Sequence, residues 1–230
     1  MRGEVEEAQR TRCVELVQED INMSLTRRKV LAAGIAAGTG LIMRPAFAAA
    51  PAASAEAPII SAGLMARAMA ALDRHHDKIP NRDRIAVVDF ARPSRVSRLH
   101  LVDIGSGRIS SHLVAHGRGS DPNHTGWLER FSNGFGSNAT SSGAYRTDDF
   151  YVGAHGRSMR LSGLDDSNSN ALDRGIVVHG AWYVSQDMAT SRGVLGRSEG
   201  CFALAAGSLE EVFERLGPGH FIYADKIAAT

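Results

Sequence analysis

Cysteine is almost absent from this chain. Two occur in 230 residues, Cys13 and Cys201, and Cys13 lies upstream of a segment that reads as an export signal. The single thiol left beyond that signal excludes an intramolecular disulfide framework. In an oxidising compartment an unpaired cysteine is open to overoxidation and mixed disulfides, so its retention there points to a chemical use. An excess of charge is also missing, with 26 Lys and Arg against 25 Asp and Glu. Residues 1–48 hold seven basic and six acidic residues, leaving nineteen of each in the remainder. No basic stripe exists to neutralise phosphates, which excludes nucleic acid as an expected partner. Long apolar runs are absent after residue 48, so no stable membrane insertion is expected once the signal is removed. About 180 residues remain, enough for one domain with its own core.

The N-terminal region does contain a leader. Thr26-Arg27-Arg28-Lys29 is basic, Val30 to Met43 is uncharged and rich in Ala and Gly, and Ala46-Phe47-Ala48 is a small-residue cleavage site. Twin arginines ahead of Lys29-Val30-Leu31 resemble the bacterial signal that carries folded proteins across the inner membrane. Residues 23–48 are therefore expected to be removed, with Met23 as the true start and residues 1–22 as a charged extension. The mature chain is expected as a monomer in the periplasm of a Gram-negative bacterium. Residues 49–58 read as an Ala/Pro-rich linker.

Beyond the linker the periodicity first predicts a helix. Leu64, Met65, Ala68, Met69 and Leu72 recur at helical spacing, capped by Ser61 and running to about His76. Residues 59–83 hold this helix and its connection, and residues 84–230 form the main domain. Short β-like runs follow at 84–90, 98–104 and 108–114, the last two joined at Gly105-Ser106-Gly107. Residues 117–143 are rich in Gly, Ser and Asn, a length of loop that points to function. Strands are predicted at 145–152, 158–161 and 176–179, with a short helix over 171–174. A second amphipathic helix follows, capped by Ser208 with Glu211 at the capping-box position, and 220–224 closes the sheet. Many short strands with two or three peripheral helices predict a mainly β, sandwich or barrel-like fold.

Two residues stand out chemically. Ile176-Val177-Val178 ends in His179-Gly180, and Gly196-Arg197-Ser198-Glu199-Gly200 leads into Cys201. A cysteine and a histidine brought together by the fold are the minimum set for thiolate acyl transfer. The alternative is a small buried hydrophobe beside a satisfied core histidine. Gly200 removes bulk beside Cys201, which frees the N–H groups of Gly200 and Cys201 for a developing oxyanion. Gly180 leaves room beside His179. Ser198 is a hydrogen-bonding member of the loop or a turn cap. Arg197 meets a substrate carboxylate or pairs with an acidic neighbour. Asn133, Ser141, Ser142 and Tyr145 are candidates for the wall of a peptide groove, with turn formation as the alternative. Nine histidines, with His112 and His116 four apart, raise a metal hydrolase, but no Cys/His/Asp spacing completes a zinc site. His75-His76 read as a solvated helix end. No metal or other cofactor is expected.

The chain resembles the murein L,D-transpeptidases, in the branch carrying Gly-Arg-Ser-x-Gly-Cys. The resemblance runs through Phe131-Ser132-Asn133, Ser141-Ser142-Gly143, Tyr151-Val152-Gly153, His155 to Leu161, Asn170-Ala171, Arg174 and Val177 to Val184, then Leu195 to Cys201. Glu199 stands where that branch commonly has an aromatic residue, and Phe202 where proline commonly follows. The resemblance implies an L,D-transpeptidase fold in which Cys201 attacks a peptidoglycan tetrapeptide stem. His179 would act as base, oriented by a backbone carbonyl. It implies 3–3 cross-linking through a thioester, without ATP or metal, and sensitivity to carbapenems. An L,D-carboxypeptidase using water as acceptor, and an inactive wall-binding module, are the competing readings.

Overall fold

The computed structural model describes residues 60–227. The extension, export signal and linker read at residues 1–58 lie outside the described residues. Helix α1 (Ala62–Arg74) starts where the Ser61 hydroxyl accepts a hydrogen bond from the Leu64 N–H at 3.2 Å, the cap its sequence predicts. Leu64, Ala68, Ala71 and Leu72 form its buried stripe.

Among the described residues nine strands follow: β1 (Arg84–Asp89), β2 (Leu99–Asp103), β3 (Ile109–His112), β4 (Val114–Ala115), β5 (Gly143–Gly153), β6 (Gly156–Gly163), β7 (Val177–Gly180), β8 (Phe202–Leu204) and β9 (Phe221–Asp225). They form one mixed sheet in the order β3-β2-β1-β9-β5-β6-β7-β8-β4. Its two outermost strands, β3 and β4, are consecutive in the chain with only Leu113 between them. A flat sheet cannot bring opposite edges that close; a twisted and curled one can. The fold is thus mainly β and barrel-like, a single curled sheet rather than two stacked ones.

Strand alternation divides the core. Ala86 and Val88 of β1 face the main cluster, with Leu101, Tyr145, Met159, Val178 and Phe202. Ile85 and Val87 face the other way, against the stripe of α1 and Phe221. Helix α3 (Ala206–Arg215) covers the main cluster with Leu209, Val212 and Phe213.

Four local readings change. Residues 171–174 form hydrogen-bonded turns rather than a helix, and the nearby helical turn is a 3-10 segment at Asp166–Asn168. Helix α3 begins two residues before Ser208, which lies inside its first turn, and Ala205 at the N-cap offers no side-chain acceptor. Glu211 bonds instead to Ser110. His75 is buried rather than solvated, with Nε2 2.8 Å from Asp165 Oδ1. Helix α2 (Gln186–Arg192) and strand β8 carry no clear periodic signal, being seven and three residues long. They matter because β7 and β8 run parallel, and parallel neighbours need a crossover. Helix α2 and the loop after it make that crossover and deliver Cys201 to the edge of β8.

Candidate active site

The β7–β8 register sets the site. Val178 pairs with Phe202 and His179 with Ala203, so Val177 stands opposite Cys201 one step back. Side chains alternate along strands, which puts Cys201 and His179 on one face and Phe202 on the other. Phe202 is fully buried and meets Tyr145 edge-on at 5.4 Å. The departure from proline at this position therefore serves the core and does not touch the face of the thiol. Cys201 and His179 line the same cleft, of about 550 Å3, with Arg174, His155, Tyr183 and Arg118.

His179 Nδ1 lies 2.9 Å from the Gly180 carbonyl. A carbonyl only accepts, so Nδ1 carries the proton and Nε2 is the basic nitrogen. One face of the ring is covered by His155, stacked at 4.3 Å between centroids with 21° between planes. Burial, and then His155, hold the His179 pKa below its ordinary value. Burial, with the Glu199 charge adding to it, pushes the Cys201 thiol above its ordinary value, opposed by the Val177 N–H, the Arg174 charge and the N–H of Cys201 itself. Both groups therefore rest neutral, as thiol and imidazole, with no hydrogen bond between them. The thiol donates to the Gly175 carbonyl at 3.5 Å.

The turn before the thiol is held from inside. Ser198 Oγ donates to the Cys201 carbonyl at 2.7 Å and accepts from the Gly200 N–H at 3.2 Å. That bond engages one of the two N–H groups expected to face an oxyanion. The N–H groups that favour the ionised sulfur are those of Val177 and Cys201. Gly200 adopts φ +121°, and a Cβ there would lie 2.7 Å from Ile176 Cδ1 and 2.8 Å from the Ala139 carbonyl oxygen. Gly117 packs against the same backbone, where a Cβ would meet the Gly200 nitrogen at 2.6 Å. Glycine at both positions is required by this close approach.

The remaining sequence candidates separate. Arg197 lines the cleft, but its Nη1 donates to the carbonyls of Asp121 and Pro122 and so anchors the loop. Tyr145 is fully buried with its hydroxyl donating to the Ser141 carbonyl at 2.8 Å, which places it in the core and not in a groove wall. Ser141 is buried too and donates to the Ser132 carbonyl, while the Ser142 carbonyl accepts from Ser167. Neither Ser141 nor Ser142 lines the cleft. The space taken by Gly180 is beside Leu209, where a Cβ would sit at 3.2 Å, rather than beside the imidazole. Glu199 points outward and pairs with Arg118 at 2.8 Å on the cleft wall.

Sequence reading passes over His155, Arg174 and Tyr183 as site residues. All three lie among the residues that carry the resemblance, which is the one signal that marked them. His155 sits at the tip of the β5–β6 hairpin, and strand periodicity says nothing about where a tip folds back. His116 lies beneath the site, buried, with Nδ1 accepting from Arg98 at 2.8 Å and Nε2 3.4 Å from Asp121. Its carbonyl accepts from the Ser198 N–H at 3.0 Å. Among the described residues no group of three His, Cys, Asp or Glu side chains is placed to share a metal ion.

The family profile for the L,D-transpeptidase catalytic domain matches residues 56–224. No curated protein matches the chain. Similar solved structures include an L,D-transpeptidase from Mycobacterium smegmatis (13% identity, TM-score 0.39, covering 62% of this chain and 58% of that one). L,D-transpeptidase 3 from Mycobacterium tuberculosis is 15% identical, with TM-score 0.36 and 62% and 61% covered. A variant of the helical cell shape determining protein Pgp2 from Campylobacter jejuni is 14% identical, with TM-score 0.42 and 74% and 58% covered. The match thus spans about three fifths of the length of these proteins. The family profile covers most of the 230 residues, and this chain belongs to the L,D-transpeptidase catalytic domain family.

Proposed function

We propose that this protein is a cysteine-dependent peptidoglycan L,D-transpeptidase. The observation that carries the reading is the sharing of one cleft, on one strand face, by Cys201 and a His179 whose basic nitrogen is left free. Cys201 attacks the carbonyl of the bond between the L-centre of diaminopimelate and the terminal D-alanine of a tetrapeptide stem. As the C–S bond forms, the thiol proton passes to His179 Nε2. The carbonyl π pair moves to oxygen and is met by the N–H of Cys201 or Val177, each such donor being worth about 3–4 kcal/mol where one has been removed. Collapse expels D-alanine, whose nitrogen takes the proton from His179, and leaves a thioester.

An amine on a neighbouring stem then attacks the thioester and gives a 3–3 cross-link. The energy of the broken peptide bond is kept in the thioester, so no ATP is consumed. Such a substrate requires export, in agreement with the twin-arginine leader and Ala46-Phe47-Ala48. Among the described residues no helix is long and apolar enough to cross a membrane. The test is purified mature protein with disaccharide-tetrapeptide, read by mass spectrometry. Wild type should release D-alanine and yield dimers, and Cys201→Ala should do neither. Identical products from both would end the thiol mechanism. Tripeptide alone, with abundant amine acceptor present, would replace cross-linking by L,D-carboxypeptidase activity.

A further inference from the structure

Arg174 is a cation held without an anion. Its guanidinium donates to the Ser132 carbonyl at 2.8 Å, the Ser141 hydroxyl at 2.8 Å, the Ser137 hydroxyl at 3.1 Å and the Ala139 carbonyl at 2.6 Å. All four acceptors are neutral. No carboxylate among the described residues forms an ion pair with it, although Arg118, Arg146 and Arg157 each have one at 2.5–2.8 Å. A partly buried charge without a counter-ion is unfavourable, and an arginine keeps its proton regardless.

Its position links that charge to the thiol. Arg174 lines the cleft with Cys201, and the carbonyl of the next residue, Gly175, receives the Cys201 S–H. A Cβ on Gly200 would lie 3.3 Å from its Nη2. Burial lowers the Arg174 pKa, and the Tyr145 hydroxyl and the Cys201 thiol oppose it. Burial keeps Tyr145 neutral, which leaves the sulfur as the one that ionises.

We propose that Arg174 is a positioning residue whose uncompensated charge faces the Cys201 sulfur as it gives up its proton. Its four bonds to neutral oxygens fix that charge without cancelling it. A carboxylate in place of those oxygens would hold the 132–141 segment equally well and remove the field. Because the guanidinium is already tied down, it needs no rearrangement as negative charge grows. The proposal rests on Cys201 being the nucleophile.

The experiment is the pH dependence of Cys201 alkylation by iodoacetamide, a neutral reagent, so that changes of charge act on the thiol alone. The proteins are wild type, Arg174→Gln, Arg174→Lys and Ser137→Asp, each with a thermal melt. A neighbouring opposite charge shifts a pKa by about one to three units. Arg174→Gln should move the profile up by at least about one unit and slow alkylation at pH 7 about tenfold, and Arg174→Lys should restore most of the rate. Ser137→Asp keeps the arginine and places a carboxylate where Nη2 donates to the Ser137 hydroxyl. It should shift the profile in the same direction, and it carries the test if Arg174→Gln does not fold. Equal losses of melting temperature in the Gln and Lys variants with unmoved profiles, or a wild-type profile for Ser137→Asp, would overturn the proposal. A wild-type thiol that fails to alkylate in the native protein would remove the nucleophile reading and this proposal together. A reactive wild type with unmoved variants would remove only the role of Arg174.

Discussion

At the scale of single residues, the neutral thiol–imidazole pair dictates a pH profile. Burial lowers the His179 pKa from its ordinary value near 6.5 and raises that of Cys201. A base must be unprotonated to act, so the acid limb of turnover should fall below pH 6.5, with a plateau through neutrality. Alkylation of Cys201, which reports the free thiolate, should instead climb into the alkaline range. A steady-state profile whose acid limb lies above pH 7 would count against a neutral resting pair. Gly200→Ala offers a second residue-level check. At φ +121° a Cβ is strained by about 1–3 kcal/mol and also strikes the Ala139 carbonyl, so the turn must shift. Turnover should fall at least about tenfold, since a misplacement of about 1 Å at a reacting centre costs on the order of a hundredfold.

At the scale of elements, the site and the N-terminal helix are separable. Helix α1 packs on β1, β9 and β5, whereas His179 lies in β7 and Cys201 immediately before β8. Leu64→Ala, which empties a fully buried position, should cost about 2–5 kcal/mol in urea unfolding. Ser61→Ala, which removes the cap, should cost about 1 kcal/mol. Turnover per folded molecule should stay at the wild-type level in both. A loss of turnover in the Ser61 variant, measured well below its melting temperature, would show that α1 holds the site as well as the core.

For the whole molecule, buried histidines make stability depend on acid. His100 is fully buried with Nδ1 2.7 Å from Ser111 Oγ, and its Nε2 has no partner among the described residues. Burial lowers its pKa to about 4, with Arg92 and His112 adding to the effect. Burial lowers His112 and His116 as well. A depressed folded pKa means that the unfolded chain binds protons first. The stabilisation is therefore complete above pH 6.5 and is lost as pH falls from there toward the folded value. For His100 alone, moving from pH 7 to pH 5 should remove about 2 kcal/mol, at 1.36 kcal/mol per pKa unit. Denaturant unfolding at the two pH values measures it. The drop should shrink by a similar amount in His100→Gln, which has no proton to gain there.

What the sequence determined by itself is what short-range pattern encodes. The apolar run of 84–90, the alternation of 98–104, the Gly105-Ser106-Gly107 turn and the Ser61-capped helix all stand where the local pattern predicts. Cys201 and His179 were legible as candidates because a lone thiol and a histidine at the end of an apolar strand are locally unusual. Ser208 misled as a cap because capping residues are common and packing of Leu209, Val212 and Phe213 chose the start of α3. Tyr145, Ser141 and Ser142 misled because sequence proximity to a polar loop does not say which way a side chain turns. Only the tertiary structure decided the closure of the sheet through Leu113, the crossover that sets Cys201 beside β7, and the His155 stack on His179. It alone assembled the cage of neutral oxygens around Arg174. These features join residues far apart in the chain, and their geometry follows from sheet curvature and strand register, which no local pattern contains.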